Sequence, residues 1–276
     1  MNRQVPEQKR QELKSCEPIA IVGNGRVARH IIHYFELVGQ PYTHWFRGSA
    51  KQANSTNSSR LARFKHKFQS AFVRRKTLSE VIQTAELVLL LISDDAIESF
   101  IDQNVCLRHK KLVHFSGSLT TIKAVGCHPL MTFGSEFYDL QQYHNIPFVV
   151  DQGVDFKQLF PKLCNAWYEI EPANKVRYHA MCVMAGNFSQ MLWQATAKAL
   201  QNMNLPAELM HSYLQQNTEN YLNDPENALT GPFVRGDVNT IEQHLQNLQS
   251  HPLGELYRAF YNLYQQPNSA AQRSQL

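Results

Sequence analysis

Four short apolar runs punctuate the first half of the chain, and each stops at a glycine, a serine or an arginine. Ile19-Ala20-Ile21-Val22 ends at Gly23, Tyr42-Thr43-His44-Trp45-Phe46 at Arg47-Gly48, Leu87 to Ile92 at Ser93-Asp94-Asp95, and Leu112-Val113-His114-Phe115 at Ser116-Gly117-Ser118. Apolar residues then recur at helical spacing: Val27, Ile31, Ile32 and Phe35 after the first run, and Ile97, Phe100 and Ile101 after the third. Leu61, Phe64 and Phe68 predict a further short helix. Strands alternating with helices at these intervals predict an α/β fold with a parallel sheet. The unbroken run at 87–92 is what a parallel strand covered on both faces requires.

The pattern loosens near residue 120. His128 to Phe133 reads as an irregular connection, Ile146–Val150 and Trp167–Ile170 as added strands, and Phe156–Leu163 as a helix between them. Pro172 closes this part. From Asn174 to Asn202 the chain reads as helix, with Met181, Met184, Phe188, Met191, Leu192 and Ala195 on one apolar face. Further helices are expected over 205–221, from Asp237 as N-cap through Thr240 and His244, and over 251–264. The expected organisation is a polar tail (1–16), an α/β Rossmann domain (17–171), an all-α domain (172–266) and a second tail (267–276). Both tails read as disordered.

Composition narrows the classes. The 276 residues are long enough for two domains. No apolar run is long enough to cross a bilayer, and the polar N-terminus lacks the apolar core of a signal peptide. The five cysteines are scattered without a C-x-x-C pair, which fits free thiols in the cytoplasm and argues against zinc. His30 and His33 share a helix face but have no third ligand, so they read as a solvated face and no metal is expected. The net charge of +4 hides an asymmetry. Between Glu36 and Glu80 there is no acid, while Arg47, Lys51, Arg60, Arg63, Lys65, Lys67, Arg74, Arg75 and Lys76 all fall there. Few aromatics interleave these charges, which disfavours a nucleic-acid platform.

Candidate chemistry sits at the strand ends, where open α/β sheets bind ligands. Gly23-Asn24-Gly25-Arg26-Val27-Ala28 is a G-x-G-x-x-G/A turn: Gly23 for the tight exit, Gly25 for close approach of a pyrophosphate, Ala28 for helix packing. The second strand end decides the cofactor. An NAD site would place an acid there, whereas this chain has Arg47-Gly48-Ser49, which suits a 2′-phosphate and favours NADP. Lys175 and His179 lie four apart on one helix face, with Asn187 further along; the plain alternative is a surface Lys–His pair and a locally bonded Asn. Gly231-Pro232-Phe233-Val234-Arg235-Gly236-Asp237 is either a fixed geometry aiming charges or a helix N-cap with Arg235 paired to Asp237. His114 and His128 are further acid/base candidates, His114 the better placed.

The segments IVGNGRVA, LISDDAI, HFSGSL, CHPLMTF, KVRYHAMCVMAGN and LTGPFVRGDVNTIEQH together resemble a group of Rossmann-like proteins with a helical C-terminal domain of unknown function. That group is related to pyrroline-5-carboxylate reductase, ketopantoate reductase and 6-phosphogluconate-dehydrogenase-like enzymes. The resemblance implies a Rossmann domain followed by a helical domain that mediates homodimerisation, with the active cleft between them. It places Lys175 and Asn187 where the related reductases face nicotinamide and substrate. The expected function is an NADP-dependent oxidoreductase acting on a small C=O or C=N substrate. Gly23, Asn24, Gly25 and Arg26 would hold the pyrophosphate, Arg47 and Ser49 the 2′-phosphate, and Ser93 would lie near the nicotinamide ribose, with Val27, Asp94 and Ser116 also in the cofactor site. Lys175 or His179 would donate the proton and Asn187 orient it. The alternative is a non-catalytic dinucleotide-binding or sensing protein of the same fold.

Overall fold

Each apolar run of the first half becomes a strand. The structure, a computed structural model, describes residues 17–48 and 76–266. Strands β1 (Ile19–Val22), β2 (Tyr42–Trp45), β3 (Leu87–Leu90), β4 (Lys111–His114), β5 (Val125–Pro129), β6 (Phe148–Asp151) and β7 (Trp167–Ile170) form one sheet in the order β2-β1-β3-β4-β5-β6-β7. All neighbours run parallel except β5 and β6, which are antiparallel. The chain leaves β1 for β2 on one side and reaches β3 on the other, so the strand order reverses at β1. The crevice above that switch point is where such sheets bind ligands.

Alternation along the strands divides the core into two layers. Ile19, Ile21, Leu87, Leu89 and Val113 pack with Ala28, Ile31, Tyr34 and Phe35 of helix α1 (Arg26–Val38) on one face. Ala20, Val22, Val88, Leu90 and Leu112 pack on the other with Ile82 of α2 (Leu78–Ile82) and with Ile97 and Phe100 of α3 (Asp94–Gln103). Burying both faces is why these strands carry unbroken apolar runs. Thr77 and Glu80 close a capping box at the start of α2. The short helices α4 (Leu140–His144) and α5 (Phe156–Leu159) follow. The second helical expectation, Phe156–Leu163, is thus met only in its first turn.

Two expectations in this half are corrected. The irregular connection expected from His128 to Phe133 begins only after Pro129: residues 125–129 form β5, paired parallel to Val113 and His114 on one side and antiparallel to β6 on the other. V-G-C-H-P lacks the apolar run that marked the other strands; its pairing comes from neighbours on both sides. His30 is buried, not solvated: Nε2 donates to Gly134 O (3.2 Å), and Nδ1 accepts the Tyr143 hydroxyl (2.9 Å). Burial pushes its pKa below the ordinary value. The helix over 61–68, Ser49, most of the basic window and both tails lie outside the described residues.

Beyond β7 come α6 (Lys175–Val183), a π-helical turn (Met184–Phe188), α7 (Ser189–Asn202), α8 (Met210–Asn223), α9 (Pro232–Arg235), α10 (Val238–Asn247) and α11 (Gly254–Gln265). The single helix expected over 174–202 is interrupted by the π turn. The chain divides into two compact units between Gly186 and Asn187, beyond the position suggested by Pro172.

The second unit has almost no interior of its own. Among its described residues only Ile241 is a buried apolar residue, and neither α7 nor α8 buries a side chain. Leu192, Leu200, Met203, Phe233, Leu256 and Phe260 line an apolar cavity of about 850 Å³. Asp237 stands at the N-cap of α10, but its side chain caps no backbone N–H; it pairs with Arg235 instead, at 2.7 Å to Nη2 and 2.8 Å to Nε. No described helix is long and apolar enough to cross a membrane.

Candidate functional site

The first site forms at the carboxyl ends of β1, β2, β3 and β4, all within the first unit. Gly23 has φ of 128°, and a Cβ there would collide with the Leu91 carbonyl, so the turn out of β1 admits only glycine. Its N–H bonds Trp45 O at 2.9 Å, and its carbonyl accepts His44 Nε2–H at 2.6 Å, which ties the turn to β2. Gly25 is a different case. Its φ of −70° is open to any residue, and a Cβ there would meet nothing within 4 Å. Among the described residues no neighbouring atom requires glycine at 25; open space above the first turn of α1 does fit an approaching phosphate. The first turn of α1 holds no acid that would compete with an anion for its free N–H groups.

These residues line a cavity of about 630 Å³, within the ordinary range for a ligand site. Gly23, Asn24, Gly25, Arg26, Val27, Arg47, Ser93, Asp94 and Ser116 all face it. Every expected cofactor residue that the structure describes is therefore brought to one place, and Ser49 is outside the described residues. Arg47 is exposed at the end of β2, with its Cζ 5.6 Å from the centroid of the Phe100 ring. Ser93 occupies the N-cap of α3 without bonding the helix through its side chain. Asp94 accepts the Ser116 hydroxyl at 2.5 Å, and Ser116 Oγ in turn accepts Leu119 N–H at 3.0 Å. The cavity thus pairs a cationic rim at β2 with a carboxylate at β3. The donors, the open glycine and the exposed guanidinium fit a phosphorylated dinucleotide.

A second cluster lies where α6 docks on β4 and β5. Lys175 is buried, and its Nζ donates to Asp151 Oδ1 at 2.6 Å. Asp151 Oδ2 accepts Gly126 N–H, also at 2.6 Å. A Cβ on Gly126 would overlap Lys175 Nζ and the Asp151 carboxylate, so the ion pair occupies the volume that this glycine leaves free. One helical turn later His179 repeats the arrangement over Gly117, where a Cβ would come within 2.6 Å of His179 Cδ2 and 3.3 Å of His128 Cδ2. The i, i+4 spacing of the helix matches Gly126 in β5 and Gly117 in the loop after β4. The reading of Lys175 and His179 as a surface pair is corrected: Lys175 is in the interior and His179 is half-buried.

Histidines surround this ion pair. Tyr178 Oη donates to His128 Nδ1 at 2.8 Å, and the rings of His128 and His179 stand edge to face at 5.8 Å. Burial, with His179 nearby, pushes the His128 pKa down to about 4. His114 is fully buried; burial first, and Lys175 second, push its pKa down to about 4. Both imidazoles are neutral near pH 7. Burial first, and a hydrogen bond with Cys182 second, raise the Tyr178 phenol above its ordinary value. Asn187 is exposed in the π turn at the start of the second unit.

Asp151, Tyr178, Gly126 and Gly117 were not singled out from the sequence. Asp151 ends an apolar run just as Ser93 ends another, a signal of the same kind. Its use depended on β6 running antiparallel, which puts its last residue level with Gly126 rather than at the opposite edge.

Residues 154–263 match the family described as Domain of unknown function (DUF2520). No curated protein matches the chain. Solved structures share the fold over most of both chains. A Bacteroides fragilis protein described as a candidate NADP oxidoreductase is 18% identical, with a TM-score of 0.67 over 91% of this chain and 98% of that one. An imine reductase from Myxococcus stipitatus, in complex with NADP+, is 13% identical with a TM-score of 0.56, covering 90% and 92%. A pyrroline carboxylate reductase from Plasmodium falciparum with NADP bound is 11% identical with a TM-score of 0.53, covering 91% and 99%. The chain has a Rossmann-type α/β fold with a helical C-terminal part, and the similarity to the DUF2520 family is confined to residues 154–263.

Proposed function

We propose that this protein is an NADP-dependent oxidoreductase acting on a small C=O or C=N substrate. The observation that carries the reading is Gly25: a glycine that no neighbouring atom among the described residues requires, at the mouth of a helix, in a cavity whose rim is an arginine instead of an acid. Gly23, Asn24, Gly25, Arg26 and Val27 hold the pyrophosphate. Arg47, with Ser49, holds the 2′-phosphate through parallel guanidinium bonds. Ser93, Asp94 and Ser116 border the nicotinamide ribose. When bound, the cofactor supplies the reducing equivalents. The NADP-bound reductases that share the fold support the same reading.

The chain's own part is position and protons. His179 is the more accessible of the two proton-donor candidates, whereas Lys175 is held inside on Asp151. We assign proton delivery to His179, support from the buried cation to Lys175 and orientation to Asn187. The helical unit acts through a second copy of this chain. Its unburied helices α7 and α8 present apolar residues that a monomer leaves to water, Met191 and Leu222 among them.

Calorimetry with NADPH and NADH tests the cofactor. Binding of NADPH is expected to be at least tenfold tighter, and Arg47→Ala should remove that preference while leaving NADH nearly unchanged. Equal losses for both would refute the 2′-phosphate role, and no binding of either would end the reading. A dinucleotide-binding chain that turns over no keto or imino compound would be the sensing protein instead.

A further inference from the structure

The ion pair beside His114 leaves one polar atom unaccounted for. His114 Nδ1 accepts the Ser116 backbone N–H at 3.2 Å, so the neutral ring carries its proton on Nε2. Among the described residues, that Nε2 is the buried side-chain nitrogen or oxygen without a hydrogen-bond partner. Buried orphan donors are rare and call for a physical account. His114 stands opposite Gly126 in the register of β4 and β5, so its side chain leaves the sheet on the face where Gly126 has none. Lys175 Nζ and the Asp151 carboxylate fill that space. The charged groups that face the imidazole are Lys175 from α6, Asp151 from β6 and Asp94 from α3, with the neutral His128 on β5 nearby.

We infer that Asp151 and His114 are positioning residues that give Lys175 two stations. In the first, Lys175 donates to Asp151, the arrangement seen here. In the second, Lys175 turns towards the ligand, and Asp151 accepts the Nε2–H of His114 in its place. Without that exchange, a departing Lys175 would leave a partly buried carboxylate with the Gly126 N–H as its remaining partner among the described residues, which is unfavourable. The orphan donor is the waiting partner. No proton needs to move, because the Nε2–H is already present. Of the groups that act on His114, Lys175 disfavours its charged form, while Asp151 and Asp94 favour it. Removing Lys175 therefore leaves the carboxylates to pull His114 towards protonation.

The inference rests on the proposed role of Lys175 towards substrate, but its test needs no turnover. Nitrogen-15 NMR of the imidazoles in the full chain reads tautomer and titration directly, with His114→Gln to assign the signal. Wild-type His114 should be neutral with its proton on Nε2. In Lys175→Met its pKa should rise by about one unit or more, and in Lys175→Met with Asp151→Asn the rise should vanish. Should the Met variant fail to fold, Lys175→Gln takes its place. An unchanged His114 titration in the single Lys175 variant overturns the inference, as does a rise that persists in the double variant or a wild-type ring carrying its proton on Nδ1. NADPH binding, measured separately, fails only if the cofactor reading fails.

Discussion

Gly23 and Gly25 lie two residues apart in one turn and are glycines for opposite reasons. At 23 the chain itself forbids a side chain, through a positive φ and the Leu91 carbonyl. At 25 nothing among the described residues does. Gly23→Ala should therefore destabilise the fold by about 2–4 kcal/mol, seen in denaturant melts. Gly25→Ala should stay within about 1 kcal/mol of wild type yet weaken NADPH binding tenfold or more. A Gly25→Ala protein that binds NADPH normally would remove the phosphate from this turn. The neutral histidines set a pH dependence. Their folded pKa values of about 4 lie below the ordinary 6.5, so the unfolded chain binds more protons between those limits. Stability is complete above pH 6.5 and falls as pH drops towards 4, with His114 alone contributing on the order of 3 kcal/mol. Thermal melts between pH 7 and pH 4.5 should show that decline; a flat profile would mean neither ring is held neutral.

At the scale of elements, the decisive contact is α6 on the ends of β4 and β5. Gly117→Ala should push His179 off its seat, shifting its ring resonances and lowering turnover at least tenfold, since displacements of about 1 Å carry such effects. Unchanged resonances would show that the glycine is not its seat. The strands β1 to β4 and helices α1 and α3 were legible because each is declared locally, by an apolar run and a following helical period. The cavity was legible for the same reason: Gly23, Arg47, Ser93 and Ser116 in its lining each follow such a run. The Lys175 cluster was half legible. Two positions four apart define a helix face in any sequence, but nothing local says that β6 turns back and brings Asp151 under Lys175. β5 failed for a related reason, as V-G-C-H-P is held by partners distant in sequence. The π turn interrupts the 174–202 period, and Met181, Met184, Phe188 and Met191, expected on one apolar face, are each more than half exposed.

For the whole molecule, the contrast between the units is the main fact. The first has a two-layered core on a sheet; the second has helices whose apolar residues face outward. If a second copy covers them, sedimentation should show a dimer, and Met191→Glu with Leu222→Glu should yield monomers that melt at lower temperature. A monomeric wild type at micromolar concentration would refute that arrangement.

The salt bridge between residues 151 and 175 also bears on how such chains can be recombined. Exchange of the helical half at residue 171 would inherit Lys175 from one parent and Asp151 from the other, so a mismatch would strand one buried charge. Exchange at 186 would carry both, with Gly117, Gly126 and His179, in a single inherited block. Shuffled libraries should therefore return soluble chimaeras far more often from the later junction.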